Sequence, residues 1–154
     1  MRKNIDVVLE GLEDKIRFFE STNQQVSSAA VGWHIEHSLL VIIKICEAVS
    51  GSNPDKYQRK FSLKWLLVWI TGTIPRGKAK APPTVIPQAE LTIFSLKNSL
   101  ELARKSILSL KGADFNQYFY HPLFGMMNRE STLVFFAIHT NHHLKIIRDI
   151  LKSR

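Results

Sequence analysis

Apolar residues recur every three or four positions along four separate stretches of this chain, and that period belongs to an α-helix buried on one face. Ile5, Val8, Leu12, Ile16 and Phe19 make the first stripe, with Glu10, Glu13, Asp14 and Lys15 between them as a solvated face. The second stretch follows the polar run Ser21-Thr22-Asn23-Gln24-Gln25; Ser27 is a suitable N-cap, and helical sequence continues to about Val49, closed by Ser50-Gly51. The third starts after Pro87, with Ile93, Leu96, Leu100, Ala103, Ile107 and Leu110 as its stripe and Gly112 as its stop. The fourth begins near residues 129–131 and runs almost to the C-terminus. No stretch alternates with period two for long enough to build a sheet. Between the second and third helices, residues 61–70 form at most a short helix, with Trp65 and Trp69 on one side. Gly72-Thr73-Ile74-Pro75-Arg76-Gly77 and Ala81-Pro82-Pro83 then rule out a continuous helix. The expectation is all-α: a single domain over residues 1–154, a four-helix bundle with one long crossover between helices two and three. Such bundles house metal sites between facing helices.

At 154 residues the chain is long enough for a core without disulfides, and its single cysteine, Cys46, permits no intramolecular one. That suits a reducing compartment, and Met1-Arg2-Lys3-Asn4 opens no apolar signal core, so a cytoplasmic location is expected. The longest apolar stretches, 38–43 and 66–70, fall far short of the ~20 residues that span a bilayer, and no membrane partner is expected. The net charge of +8 is spread along the chain, with one local concentration at Arg76-Gly77-Lys78-Ala79-Lys80. No recognition helix, zinc finger or stacking-aromatic motif accompanies it, so nucleic-acid binding is not the expected role.

The six histidines fall in three places: His34 and His37 in helix two, His121 before helix four, and His139, His142 and His143 inside it. Residues four apart on a helix lie one turn along and only ~40° apart around the axis, so His139 and His143 share a face with Phe135, Ile146 and Ile150. Burying two imidazoles side by side is costly unless their nitrogens are satisfied. A divalent ion does this directly; the alternative is one hydrogen-bonded core histidine and one partly exposed. In helix two, His34, Ser38, Val41, Ile45 and Ala48 share one side, opposite Glu36, Lys44 and Glu47. Periodicity therefore selects His34, His139 and His143 as metal ligands. His37 borders the polar side, suited to hydrogen bonding behind a ligand or to solvation, and His142 is displaced from the inward line.

Taken together these segments resemble the DinB-like superfamily. The second-helix stretch Val26-Ser27-Ser28-Ala29-Ala30-Val31-Gly32-Trp33-His34-Ile35 is similar to its signature of a capping serine followed seven residues later by a histidine and an aliphatic residue. The His139-x-x-x-His143 pair is similar to its fourth-helix motif. His121-Pro122-Leu123-Phe124-Gly125 and Ile74-Pro75-Arg76-Gly77-Lys78 resemble an uncharacterised branch. The resemblance implies a four-helix bundle with one long crossover, a homodimer, and His34, His139 and His143 as ligands of one divalent ion, zinc or nickel. It also implies metal-dependent thiol transfer or hydrolysis acting on a small-molecule or thiol substrate; the alternative is a non-enzymatic bundle whose metal is structural or whose site is vestigial. Many members carry a basic residue and a glutamine soon after the last ligand, whereas here the segment reads Leu144-Lys145-Ile146-Ile147. Functions that depend on that glutamine are therefore not implied.

Three neutral imidazoles leave a coordination position open on zinc or nickel, the pattern of a catalytic site. Glu36 and Glu130 are the nearby carboxylates in sequence, with a surface role as the simpler reading of each. His121 has an ordinary pKa near physiological pH, which suits a proton shuttle, or it orients its own turn. Ser38 has no evident base beside it, and Cys46 reads as a small core residue. Arg76, Lys78 and Lys80 belong either to an anion-binding mouth or to a solvated crossover.

Overall fold

The computed structural model describes residues 4–77 and 81–152. Five helices and one short hairpin follow in the order α1 (Ile5–Glu13), α2 (Val31–Ser50), α3 (Leu63–Thr71), α4 (Ile93–Lys111), β1 (Tyr118–His121), β2 (Gly125–Asn128) and α5 (Arg129–Lys152). The bundle is made by α1, α2, α4 and α5: α2 packs on both α4 and α5, and α1 on both α5 and α4. Leu9 and Leu12 of α1, Ile35, Leu39 and Ile42 of α2, Leu96 and Leu100 of α4, and Phe136, Leu144 and Ile147 of α5 are almost completely buried between them. The expected all-α class is therefore what is found.

Local chemistry explains where the element ends differ from expectation. The first stripe does not make one helix to Phe19. Asn4 caps α1 at its start, but Lys15 bonds back to the Leu12 carbonyl and the chain tightens into a 3₁₀ turn at Ile16–Phe18. That turn still carries Ile16 into the core. Nor does α2 begin at Ser27. Its first amides are satisfied by backbone instead of by a side-chain cap: Val31 N–H donates to the Ser21 carbonyl at 2.9 Å and Gly32 N–H to the Phe19 carbonyl at 2.7 Å. The later helices follow the sequence closely. Thr92 and Ser95 form a reciprocal capping box at the start of α4.

The hairpin was not legible as a sheet because each strand has only four residues. Tyr118 pairs with Asn128 and His121 with Gly125 in antiparallel register, and Gly125 takes φ +79°, a value open to glycine at little cost. Asn128 then accepts from the Ser131 amide through Oδ1 and turns the chain into α5. The crossover lies over the bundle at two points. The 3₁₀ turn at Pro83–Val85 packs on α2, and Arg76 reaches α5 in an ion pair with Asp149 at 2.7 Å. Lys78 and Lys80 lie outside the described residues.

Candidate metal centre

The histidines of α2 and α5 meet where these two helices cross. His139 and His143 lie one turn apart, their rings meeting edge to face with centroids 4.7 Å from each other, as their spacing allows. The third ring on them is His37, whose centroid is 4.8 Å from His143 and 5.3 Å from His139. One nitrogen from each of His37, His139 and His143 falls within 4.8 Å of the others, close enough for a single ion to bind all three.

Two features prepare His37 for that role. Its Nδ1–H donates to the Val85 carbonyl at 2.8 Å, which leaves the Nε2 lone pair free. Its ring also stacks on Trp33, one turn earlier in α2, at 4.9 Å and 12°. The proline-rich piece of the crossover thus supplies the carbonyl that sets a histidine tautomer.

His34 sits one layer back. Its Nδ1 faces His143 Nδ1 at 3.0 Å, and its Nε2 lies 3.0 Å from Ser27 Oγ, which also accepts the Ala29 amide. The phase argument that favoured His34 over His37 assumed one buried side on α2. In fact His34, Ile35, His37, Ser38, Leu39, Val41, Ile42 and Ile43 are all buried, because α4, α5, β1 and the Val85 turn surround the helix. Helical phase cannot separate two histidines on a stretch of helix, residues 31–43, in which no residue is exposed. The usable signal was instead local: Trp33 and His37 are four apart and stack.

All of these rings are held neutral. Burial lowers His34 to about 4, assisted by the repulsion that protonated His37 and His142 would exert and by the charge of Arg76. Burial likewise pushes His139 and His143 well below the ordinary value of 6.5, and it lowers His37 against the opposing bond to Val85. Neutral imidazoles keep their lone pairs for a cation. His139 Nδ1 is buried with no hydrogen-bond partner, a cost of about 1–3 kcal/mol that a bound ion would remove if it met that atom. The residues present therefore fit a divalent metal.

The remaining candidates are placed around the site or away from it. His142 is half-buried beneath the crossover, lowered first by burial and then by Arg76, and hydrogen-bonded to the Ile74 backbone. His121 stacks on Phe124 at 4.3 Å and meets Phe135, the ring that also packs on His139. Its Nδ1 accepts the Leu123 amide at 3.1 Å, so its proton is on Nε2, and burial lowers it to about 4. That fixes a neutral ring which orients its turn. Glu36 is half-buried rather than a surface charge: it accepts from Ser99 Oγ of α4 at 2.9 Å, and burial raises its pKa. Glu130 pairs with its neighbour Arg129. Ser38 donates to the His34 carbonyl, and burial pushes the Cys46 thiol up to about 12, so neither is a prepared nucleophile.

Fold and site together define a helical bundle with a buried cluster of histidines at one helix crossing. The sequence matches the family model of the DinB superfamily over residues 1–147, and the chain belongs to that superfamily. Comparison with curated proteins and with solved structures found no match.

Proposed function

We propose that this protein holds one divalent metal ion on His37, His139 and His143 and uses it to activate a thiol or a water molecule against a small-molecule substrate. The observation that carries the reading is the approach of those three donor nitrogens to within 4.8 Å of one another between α2 and α5. Three imidazoles suit zinc or nickel. Such an ion, when bound, supplies a Lewis acid with an open position, which lowers the pKa of water or thiol toward neutrality.

The protein's own groups do the positioning. Val85 holds His37 in the tautomer that frees Nε2. If His143 offers Nε2 to the ion, its Nδ1–H donates to His34 Nδ1 and His34 Nε2–H donates to Ser27 Oγ, a relay in which every partner is present. His34 thereby becomes a positioning residue, where periodicity had made it a ligand. Among the described residues no carboxylate joins the cluster, so a bound dication keeps its full charge and favours an anionic further ligand, a thiolate or a hydroxide. The homodimer implied by the family resemblance belongs to the same proposal.

A second reading has its own observation. Glu36 and Glu130 are both engaged elsewhere, so among the described residues no carboxylate base stands by the histidines, and an ion there would brace α2 against α5. Metal-loaded protein assayed against panels of thiol conjugates and hydrolase substrates decides between them. Metal-dependent turnover in either panel supports the enzyme. Inactivity throughout, with a large fall in Tm on chelation, supports the brace.

A further inference from the structure

The positive charge of this protein is less evenly spread than a residue-by-residue reading implies. Residues 56–80 contain seven of the 21 lysines and arginines and none of the 13 acidic residues, which is nearly the whole net charge of +8. Four of the seven (Lys56, Arg59, Lys60 and Lys64) are exposed on the run into α3 and over its first turn, and none is in an ion pair among the described residues.

The same segment exposes apolar side chains. Leu63, Leu67 and Ile70 stand at offsets of zero, four and seven along α3 and are 60%, 55% and 64% exposed. Phe61, just before the helix, is 81% exposed. The opposite side of α3 holds it to the body through buried Val68 and through Trp65, which packs on Phe124 at 5.4 Å. Lys64 projects between the two sides. An outward apolar stripe edged by unpaired cations is the pattern of a helix that lies in a membrane interface.

Other occupants fit less well. Nucleic acid would meet the cations but gains nothing from Leu63, Leu67 and Ile70. A second copy docked on this face would meet the same acid-free surface, with no carboxylate in residues 56–80 to pair the four cations. We infer that residues 56–70 dock this protein on a bilayer surface containing anionic phospholipid, with Phe61, Leu63, Leu67 and Ile70 at the acyl boundary and the cations among the headgroups. This is peripheral attachment, consistent with the absence, among the described residues, of any helix long and apolar enough to cross a membrane. It does not depend on the metal site.

The test is co-sedimentation of the full chain with phosphatidylcholine vesicles, with and without about a third phosphatidylglycerol. Partition into the anionic vesicles alone, weakened by added salt, is expected. Lys60→Ala with Lys64→Ala should lower it roughly 25-fold, at about fivefold per cation. Leu67→Ser with Ile70→Ser should lower it at least about tenfold. All four side chains are exposed, so an unchanged far-ultraviolet circular dichroism spectrum is expected to confirm the fold. The inference is overturned by equal partition into both vesicle types or into neither. It is also overturned by full binding in the double-lysine variant, or by a lipid-free dimer that Leu67→Ser with Ile70→Ser dissociates, which would make α3 a self-interface.

Discussion

Ser27 carries more than its place in a loop suggests. Its Oγ accepts the Ala29 amide and meets His34 Nε2, so one hydroxyl ties the chain before α2 to the histidine behind His143. Ser27→Ala removes both bonds and leaves a nitrogen of the buried His34 ring without its partner. A loss of about 1 kcal/mol is expected in the urea unfolding of the metal-free protein. The ion ligands themselves are intact in this variant, so one metal per chain should still bind. Cys46 makes a useful contrast. Its thiol stays protonated deep in the core, and alkylating reagents should leave it unmodified in the folded protein.

At the scale of elements, the start of α2 positions the site, and Gly32 shows how tightly that start is locked. A Cβ at Gly32 would stand 3.0 Å from the Phe19 carbonyl oxygen and 3.2 Å from Phe19 Cβ. The first of these atoms is backbone and cannot swing aside. Gly32→Ala should therefore cost about 1–3 kcal/mol by denaturant midpoint. Gly51→Ala is the matched control: φ is −82° there, the nearest atom lies 3.7 Å away, and no loss is expected. The stripe of α4 was legible because that helix buries one face, Leu96, Leu100, Ala103, Ile107 and Leu110. The α2 start was not, since Ser21 and Phe19 supply backbone carbonyls in place of a side-chain cap. The pair His139 and His143 could be read from spacing alone, because residues four apart share a helix face whatever else the helix buries. That His37 approaches His139 and His143 depends on the tertiary packing around α2, and its tautomer on the carbonyl of Val85, 48 residues away in sequence.

For the whole molecule, a cluster of buried neutral histidines makes stability depend on pH. His121 shows the sign: burial brings its folded pKa to about 4, below the ordinary 6.5 of an unfolded chain. Between those values the unfolded state binds the proton and the folded state does not, so stability is fully present above 6.5 and is lost as pH falls toward 4. The histidines of the cluster are shifted in the same direction. The Tm of the metal-free protein should fall steadily over that window, and His121→Phe, which keeps the stack on Phe124, should flatten part of the fall. A Tm that is level or rising as pH drops through the window would contradict the burial of these rings. The surface ion pairs are a minor term: Arg76–Asp149 is 47% and 40% exposed, and Asp149→Asn should change stability by less than about 1 kcal/mol.

The central claim is that His37, His139 and His143 hold the ion while His34 stands behind His143. Metal content by elemental analysis, with affinity by competition against a chelator, tests it in wild type, His37→Ala and His34→Ala. One ion per chain is expected in wild type and none in His37→Ala. His34→Ala should keep one ion but bind it about 10–100-fold more weakly, the usual cost of losing a ligand's hydrogen-bond partner. Full metal content in His37→Ala together with none in His34→Ala would contradict the assignment and return His34 to the ligand set.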